Sequence, residues 1–273
     1  AKSGQPVKPA STKSDASPIP PTGSTSDAIA VSGLSYRYDD GDAPVFENLS
    51  LRVAEGEIVA LMGSNGAGKT TLARLLCALD RPSAGSITVA GLPVASSKHG
   101  KRPRALTRKE RAALRRNVGY VMQHPERQLF ADTVAEDVAY GPRNQHLSEL
   151  EVATRVEEAL RMLHIEHLAD RSPFNLSGGQ QRLVAIAGVI ACRPRVLIMD
   201  EPTASLDESA VSRIHALLGS LKSQGVAVLI ITHSIDEAEH CADHIITMGS
   251  HNGDGEGDGC GTGDDEDTSV GDA

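Results

Sequence analysis

Between residues 28 and 248 the chain alternates short apolar runs with longer stretches of helical periodicity. Residues 28–34 (AIAVSGL) and 50–53 (SLRV) read as strands. Gly56-Glu57 is a turn, and the run Ile58–Met62, closed by Gly63, has the pattern of a strand buried on both faces. A helix is expected over 70–79 and strands over 85–89 and 118–122. Leu150, Val152, Val156, Ala159, Leu160 and Leu163 recur near helical spacing over 148–163. Another helix starts near Ser177 and runs through Leu183–Ala191. Val196–Met199 and Val226–Ile231 are two further buried strands, and His244–Met248 is the last. Val211, Ile214, Leu217, Leu218 and Leu221 mark an amphipathic helix over 209–223. Strands alternating with helices predict an α/β fold around a mainly parallel sheet.

The flanks differ in kind. Residues 1–27 are rich in Ser, Pro, Thr, Ala and Lys and are expected to form a disordered arm. Residues 249–273 are mostly Gly and Asp and are expected to form a solvated tail; the DGEGDG stretch faintly resembles calcium-binding repeats, but no repeat is sustained. The chain starts at Ala1 without Met, and the expectation is a processed chain or a segment of a longer, fused protein. One domain, 28–248, lies between the flanks.

Charge sharpens this division. The 27 basic and 36 acidic residues give −9, of which eight acids and no Lys or Arg fall in 251–273. The remainder is close to neutral, which argues against nucleic acid as a partner. The basic stretch Lys98–Arg116 reads as a solvated helix face or, more specifically, as a contact for acidic lipid or an acidic partner surface. Cys77, Cys192, Cys241 and Cys260 lack metal-site spacing and read as free thiols of a reducing compartment. Residues 1–27 have no apolar stretch of the kind a secretory signal needs, and no run approaches the ~20 residues of a membrane span. A membrane role would be exercised from the cytosolic side through a partner.

Three motifs carry chemistry. Gly63-Ser64-Asn65-Gly66-Ala67-Gly68-Lys69-Thr70, followed by Thr71, is a GxxxxGK[ST] loop between a buried strand and a helix. Its glycines let backbone N–H groups turn toward phosphate, and the helix N-terminus adds partial positive charge. Lys69 is suited to the β- and γ-phosphates and Thr70 to Mg²⁺. The strand Val196–Met199 then delivers Asp200 and Glu201, one carboxylate for the Mg²⁺ shell and one to polarise water as a general base. Third, Leu176-Ser177-Gly178-Gly179-Gln180 opens a helix and is either a flexible cap or a second anion-binding end. One nucleotide cannot easily use both helix ends of one domain; a head-to-tail pair of domains could.

LSGGQ between a phosphate loop and an apolar DEP strand resembles the ABC-type ATPases over about residues 28–248. The resemblance implies a P-loop NTPase core of RecA-like, mainly parallel sheet, with an antiparallel β subdomain and an α-helical subdomain at about 124–180. It implies that Tyr38 stacks on adenine, that Gln123 contacts Mg²⁺ and the water, that Asp207 lies in a loop crossing the dimer interface, and that His233 contacts the γ-phosphate. It implies two domains sandwiching two MgATP, each held by Lys69 and Thr70 of one and by Ser177 and Gly179 of the other, with Glu201 and His233 hydrolysing it.

The segment from Gln123 through Phe130 to Pro142, with P-x-x-Q-L-F and V-x-E-D-V-A-Y-G-P runs, is similar to ATP-binding subunits of energy-coupling factor (ECF) importers of vitamins or of cobalt and nickel. That implies a transmembrane coupling subunit, a separate solute-binding membrane component and a site at the cytoplasmic face of the membrane. Leu129 and Phe130 would dock a partner helix, pack the helical subdomain, or both. Another ABC importer or exporter, a soluble non-transport ABC protein and a non-catalytic ATP-binding scaffold are the competing readings. The intact Glu201 and His233 speak against the last.

Overall fold

The computed structural model describes residues 26–38, 43–97 and 102–249. In chain order its elements are β1 (Asp27–Tyr36), β2 (Phe46–Ala54), β3 (Ile58–Gly63), α1 (Lys69–Leu76), β4 (Ala84–Val89), β5 (Leu92–Ser96), α2 (Arg108–Asn117) and β6 (Val118–Val121). They continue with α3 (Val134–Asn144), α4 (Glu149–Met162), α5 (Gly178–Ile190), β7 (Val196–Asp200), α6 (Glu208–Ser223), β8 (Ala227–Ile231), α7 (Ile235–Cys241) and β9 (His244–Met248). The strands form a four-stranded antiparallel sheet, β2-β1-β4-β5, and a five-stranded parallel sheet, β6-β7-β8-β3-β9.

The continuous apolar runs occupy the middle of the parallel sheet, where every residue of β7 and β8 is buried. Successive side chains of a strand point to opposite faces, and this alternation builds two cores. Val59, Leu61, Val196, Ile198, Leu229 and Ile231 face α1 and the antiparallel sheet. Ile58, Leu197, Met199, Val228 and Ile230 face α3, α4, α5 and α6. Each fully buried Val, Ile or Leu contributes about 1.5–3 kcal/mol, so both layers are firmly tied to one sheet. The helices at about 124–180 have no separate core; α3 and α4 extend the second one.

The structure departs from the sequence reading in places. Helix α1 ends at Leu76, not residue 79, because Ala78 takes a left-handed φ of 53°. The N–H groups of Ala78 and Leu79 then return to Leu75 and Arg74 carbonyls, closing the end. β2 begins at Phe46, and β5, α3 and α7 are elements the reading did not anticipate. From Arg108 onward the basic stretch forms a solvated helix: of α2 only Leu114 is buried, and a capping box of Thr107 and Glu110 starts it. Leu129 and Phe130 separate. Leu129 packs into the helical core, whereas Phe130 is 57% exposed and meets exposed Tyr140 edge to face at 4.8 Å. Cys77, Cys192 and Cys241 are free thiols; Cys260, both flanks (1–25 and 250–273) and Lys98–Lys101 lie outside the described residues. Among the described residues no helix is long and apolar enough to cross a membrane.

Candidate active site

Three parallel strands, β3, β7 and β8, end side by side, and the residues at and just beyond their carboxyl ends line one cleft. The loop after β3 supplies Asn65, Gly66, Gly68, Lys69, Thr70 and Thr71; β7 supplies Asp200 and Glu201; the segment after β8 supplies His233. Gln123, just beyond β6, Tyr38 and the segment Ala43-Pro44-Val45 complete the lining of a cleft of about 560 Å³. Carboxyl ends of parallel strands are where α/β sheets bind ligands.

The glycine loop is held by close approaches that exclude side chains. Gly63 has φ 150°, and a Cβ there would stand 2.4 Å from the Met248 carbonyl oxygen on neighbouring β9. Gly68, at φ 91°, forms the left-handed N-cap of α1, and its Cβ would stand 2.6 Å from a Val45 methyl. The buried Lys69 ammonium donates to the Gly63 and Ser64 carbonyls, each at 2.9 Å. Burial lowers its pKa, opposed by the charges of Glu201 and Asp200. Ala67 is buried and packs the core rather than lining the cleft. Tyr38 bonds the Thr71 hydroxyl at 2.8 Å and stands edge-on to Tyr36 at 5.0 Å, leaving its half-exposed ring at the cleft mouth.

Thr70 donates its hydroxyl to Asp200 at 2.7 Å. A hydroxyl, a carboxylate and the Gln123 amide are hard oxygen donors, the set Mg²⁺ takes beside a nucleotide. Burial raises the Asp200 pKa, against the opposing pull of the Thr70 hydrogen bond and the Lys69 charge. Glu201 sits at φ 54°, a strained position for a non-glycine residue. Its N–H is satisfied by the Ile231 carbonyl at 2.9 Å, and its carboxylate lies 3.0 Å from the His233 ring. Burial raises the Glu201 pKa and the charge of His233 opposes that rise, an arrangement suited to accepting a proton from water.

Other expected site residues stand outside this cleft. Ser177 and Gln180 form a reciprocal capping box at the start of α5, with Gly178 and Gly179 between them. Asp207 caps α6 through the Ala210 N–H at 2.7 Å. None of Ser177, Gly178, Gly179, Gln180 and Asp207 lines the cleft.

The sequence reading overlooked Arg182. Buried to 6% exposure, it donates to the carbonyls of Gln123 at 2.6 Å, Ala204 at 2.6 Å and Glu201 at 3.2 Å, with Glu126 at 3.6 Å. One cation thereby joins the loop after β6, the end of β7 and the loop before α6 to helix α5. Its only sequence signal is an Arg on the otherwise apolar run of that helix.

Comparison with known proteins agrees with this architecture. The family model described as "ABC transporter" matches residues 46–204. A putative ABC transporter ATP-binding protein of Bifidobacterium longum is 66% identical over 82% of this chain, which spans 29% of that relative's length. The energy-coupling factor transporter ATP-binding protein EcfA of Methanocaldococcus jannaschii is 40% identical over 81% of this chain and 75% of its own. Among solved structures, CbiO1 of Clostridium perfringens, part of the ABC transporter complex CbiONQ, superposes with TM-score 0.70 at 37% identity, covering 81% of this chain and 84% of that one. The dimeric ATP-binding cassette MJ0796, bound to ADP and Pi, gives TM-score 0.70 at 28% identity over 82% and 97%. This chain therefore belongs to the ABC transporter family of ATP-binding, ATP-hydrolysing domains.

Proposed function

We propose that the chain powers an ECF-type importer of a vitamin or a transition-metal ion such as cobalt or nickel, from the cytoplasmic face of the membrane. The relatives named EcfA and CbiO1 support this class, as does the P-x-x-Q-L-F segment. One observation carries the catalytic part: a single cleft holds the phosphate loop, two carboxylates and His233, yet omits the serine-glycine start of α5. A second copy, or a related ATPase domain, supplies that helix end to the nucleotide. The dimeric state of MJ0796 supports pairing of this kind.

Within the pair, Lys69 and the loop N–H groups hold the phosphates of ATP. Glu201 accepts a proton as water attacks the γ-phosphorus, and the bond to the β-phosphate oxygen breaks, leaving ADP and phosphate. His233 holds the Glu201 carboxylate on one side. Thr70, Asp200 and Gln123 would hold Mg²⁺, which neutralises developing phosphate charge when bound.

The coupling partner has a surface to meet. A groove of about 360 Å³ between α3 and α4 has a floor of Ala135, Ala139, Val152, Val156 and Leu160, with Glu136 and Glu157 beside it. Tyr140, on α3, and Phe130 add an exposed aromatic pair. Affinity capture of the tagged chain from membranes tests the importer reading. It should bring down a transmembrane subunit and a small solute-binding membrane protein; recovery of ribosomal or other soluble partners alone would contradict it.

A further inference from the structure

Glu201 and His233 leave the sheet on different strands, just beyond β7 and β8 respectively. One backbone hydrogen bond joins their segments, from the Glu201 N–H to the Ile231 carbonyl at 2.9 Å. A second link comes from a side chain outside every motif. Glu237, in the first turn of α7, is 6% exposed, and each of its carboxylate oxygens has a hydroxyl partner. The Thr203 hydroxyl donates to Oε1 at 2.9 Å and the Thr232 hydroxyl to Oε2 at 2.5 Å. Thr203 lies two residues after Glu201, in the turn that leads to Asp207, and Thr232 immediately precedes His233. The Thr232 hydroxyl oxygen also accepts from the Ser234 N–H at 3.1 Å. Both chain neighbours of His233 are therefore tied, directly or through that hydroxyl, to one carboxylate. Ser234 in turn caps α7 by accepting from the Glu237 N–H at 3.1 Å, which closes a ring of hydrogen bonds through the chain on either side of the histidine.

We propose that Glu237 is a positioning residue for the Glu201–His233 pair: its buried carboxylate, bridging Thr203 and Thr232, holds the segments after β7 and β8 at the spacing that keeps the His233 ring on the Glu201 carboxylate. This rests on the nucleotide-site reading above and deepens it. The His233 side chain is 47% exposed, so the backbone on either side, rather than packing, sets its place. A buried carboxylate persists only where hydrogen bonds offset its desolvation. With both oxygens engaged, the Glu237 carboxylate has one orientation, and a shift of either segment breaks a charge-assisted hydrogen bond. Arg182 holds the same turn through the Glu201 and Ala204 carbonyls. The segment after β7 is thus clamped by a cation from α5 and an anion from α7, and only the anion reaches on to His233. Glu237 does not line the cleft, so its effect passes through the pair.

The test separates turnover from nucleotide binding in the intact chain, at a concentration where the parent hydrolyses ATP. Phosphate release gives kcat and KM, and a fluorescent ATP analogue gives affinity. Glu237→Leu fills the space and removes both bonds; Glu237→Gln keeps the size and still offers an acceptor to one hydroxyl and a donor to the other. The Leu variant should lower kcat about tenfold or more, the scale of a hydrogen bond to a charged group, with KM and analogue affinity unchanged. The Gln variant should recover most of that loss. Thr203→Val cuts only the link to the Glu201 side and should lower kcat in the same selective way, which keeps the proposal testable if Glu237→Leu does not fold. An unchanged kcat in Thr203→Val overturns the proposal. So does a loss of analogue affinity equal to the loss of kcat, which would make Glu237 a general support of the cleft. A Gln variant as slow as the Leu variant overturns it too, because charge rather than the bridge would then matter. Lys69→Ala separates the two levels: if it binds the analogue as tightly as the parent chain, the nucleotide-site reading itself is wrong.

Discussion

Glu201 and Arg182 illustrate how much of this site depends on single side chains. Glu201→Gln keeps the hydrogen-bonding shape toward His233 but cannot accept a proton. Turnover should fall by about 10²-fold or more while ATP binding persists, as read by phosphate release and by retained nucleotide on filters. Because burial raises the Glu201 pKa, the ionised base is lost at a higher pH than for an ordinary glutamate. Hydrolysis should therefore decline on acidification before nucleotide binding does. Arg182→Met leaves the carbonyls of Gln123, Glu201 and Ala204 and the Glu126 carboxylate without their shared cation. The expected cost is about 3 kcal/mol, measured by urea unfolding; a loss under about 0.5 kcal/mol would show that the three loops do not depend on it. Lys69, Thr70, Asp200 and Glu201 were legible in the sequence because their chemistry demands fixed types at fixed spacing. Arg182 was not, because what selects it is proximity across strands and loops, which leaves no local pattern.

At the level of elements, the buried strands were legible because β3 and β8, and β7 up to Asp200, are continuous apolar runs, as a parallel sheet covered on both faces requires. The unanticipated elements share a physical cause. β5 contains a proline, α7 has only seven residues, and α3 carries Gly141-Pro142 in its last turns. Each is set by what it packs against rather than by intrinsic propensity. The contact of β6 with α5 can be tested directly. A Cβ at Gly119 would stand 2.6 Å from a Val189 methyl and 3.1 Å from both Leu197 and Pro194. Gly119→Ala should overpack this seam and cost about 1–3 kcal/mol by thermal or urea unfolding. An unchanged midpoint would mean that the strand and helix are not held so closely. Because Gln123 of the cleft lies just beyond the same strand, the same variant should also disturb the Mg²⁺ requirement.

In the proposed function the whole molecule is half of a catalytic unit. Its cleft gathers Lys69, Thr70, Gln123, Asp200, Glu201 and His233 but not the capped serine-glycine end of α5, and pairing is what the sequence motif implies. The proposed docking of a membrane partner has a separate address. Phe130→Ala with Tyr140→Ala should weaken co-purification of the transmembrane subunit and leave ATP binding unaltered, because neither ring lines the nucleotide cleft. Hydrolysis at a site shared between two chains can be probed by mixing two variants. Lys69→Ala disables the phosphate loop and Ser177→Arg blocks the helix end, so each variant alone should be inactive. Mixed in equal amounts, they can assemble one intact site from the loop of one chain and the helix end of the other. Phosphate release from the mixture should stand well above the sum of the separate variants; full activity of Ser177→Arg on its own, unchanged on dilution, would contradict a shared site.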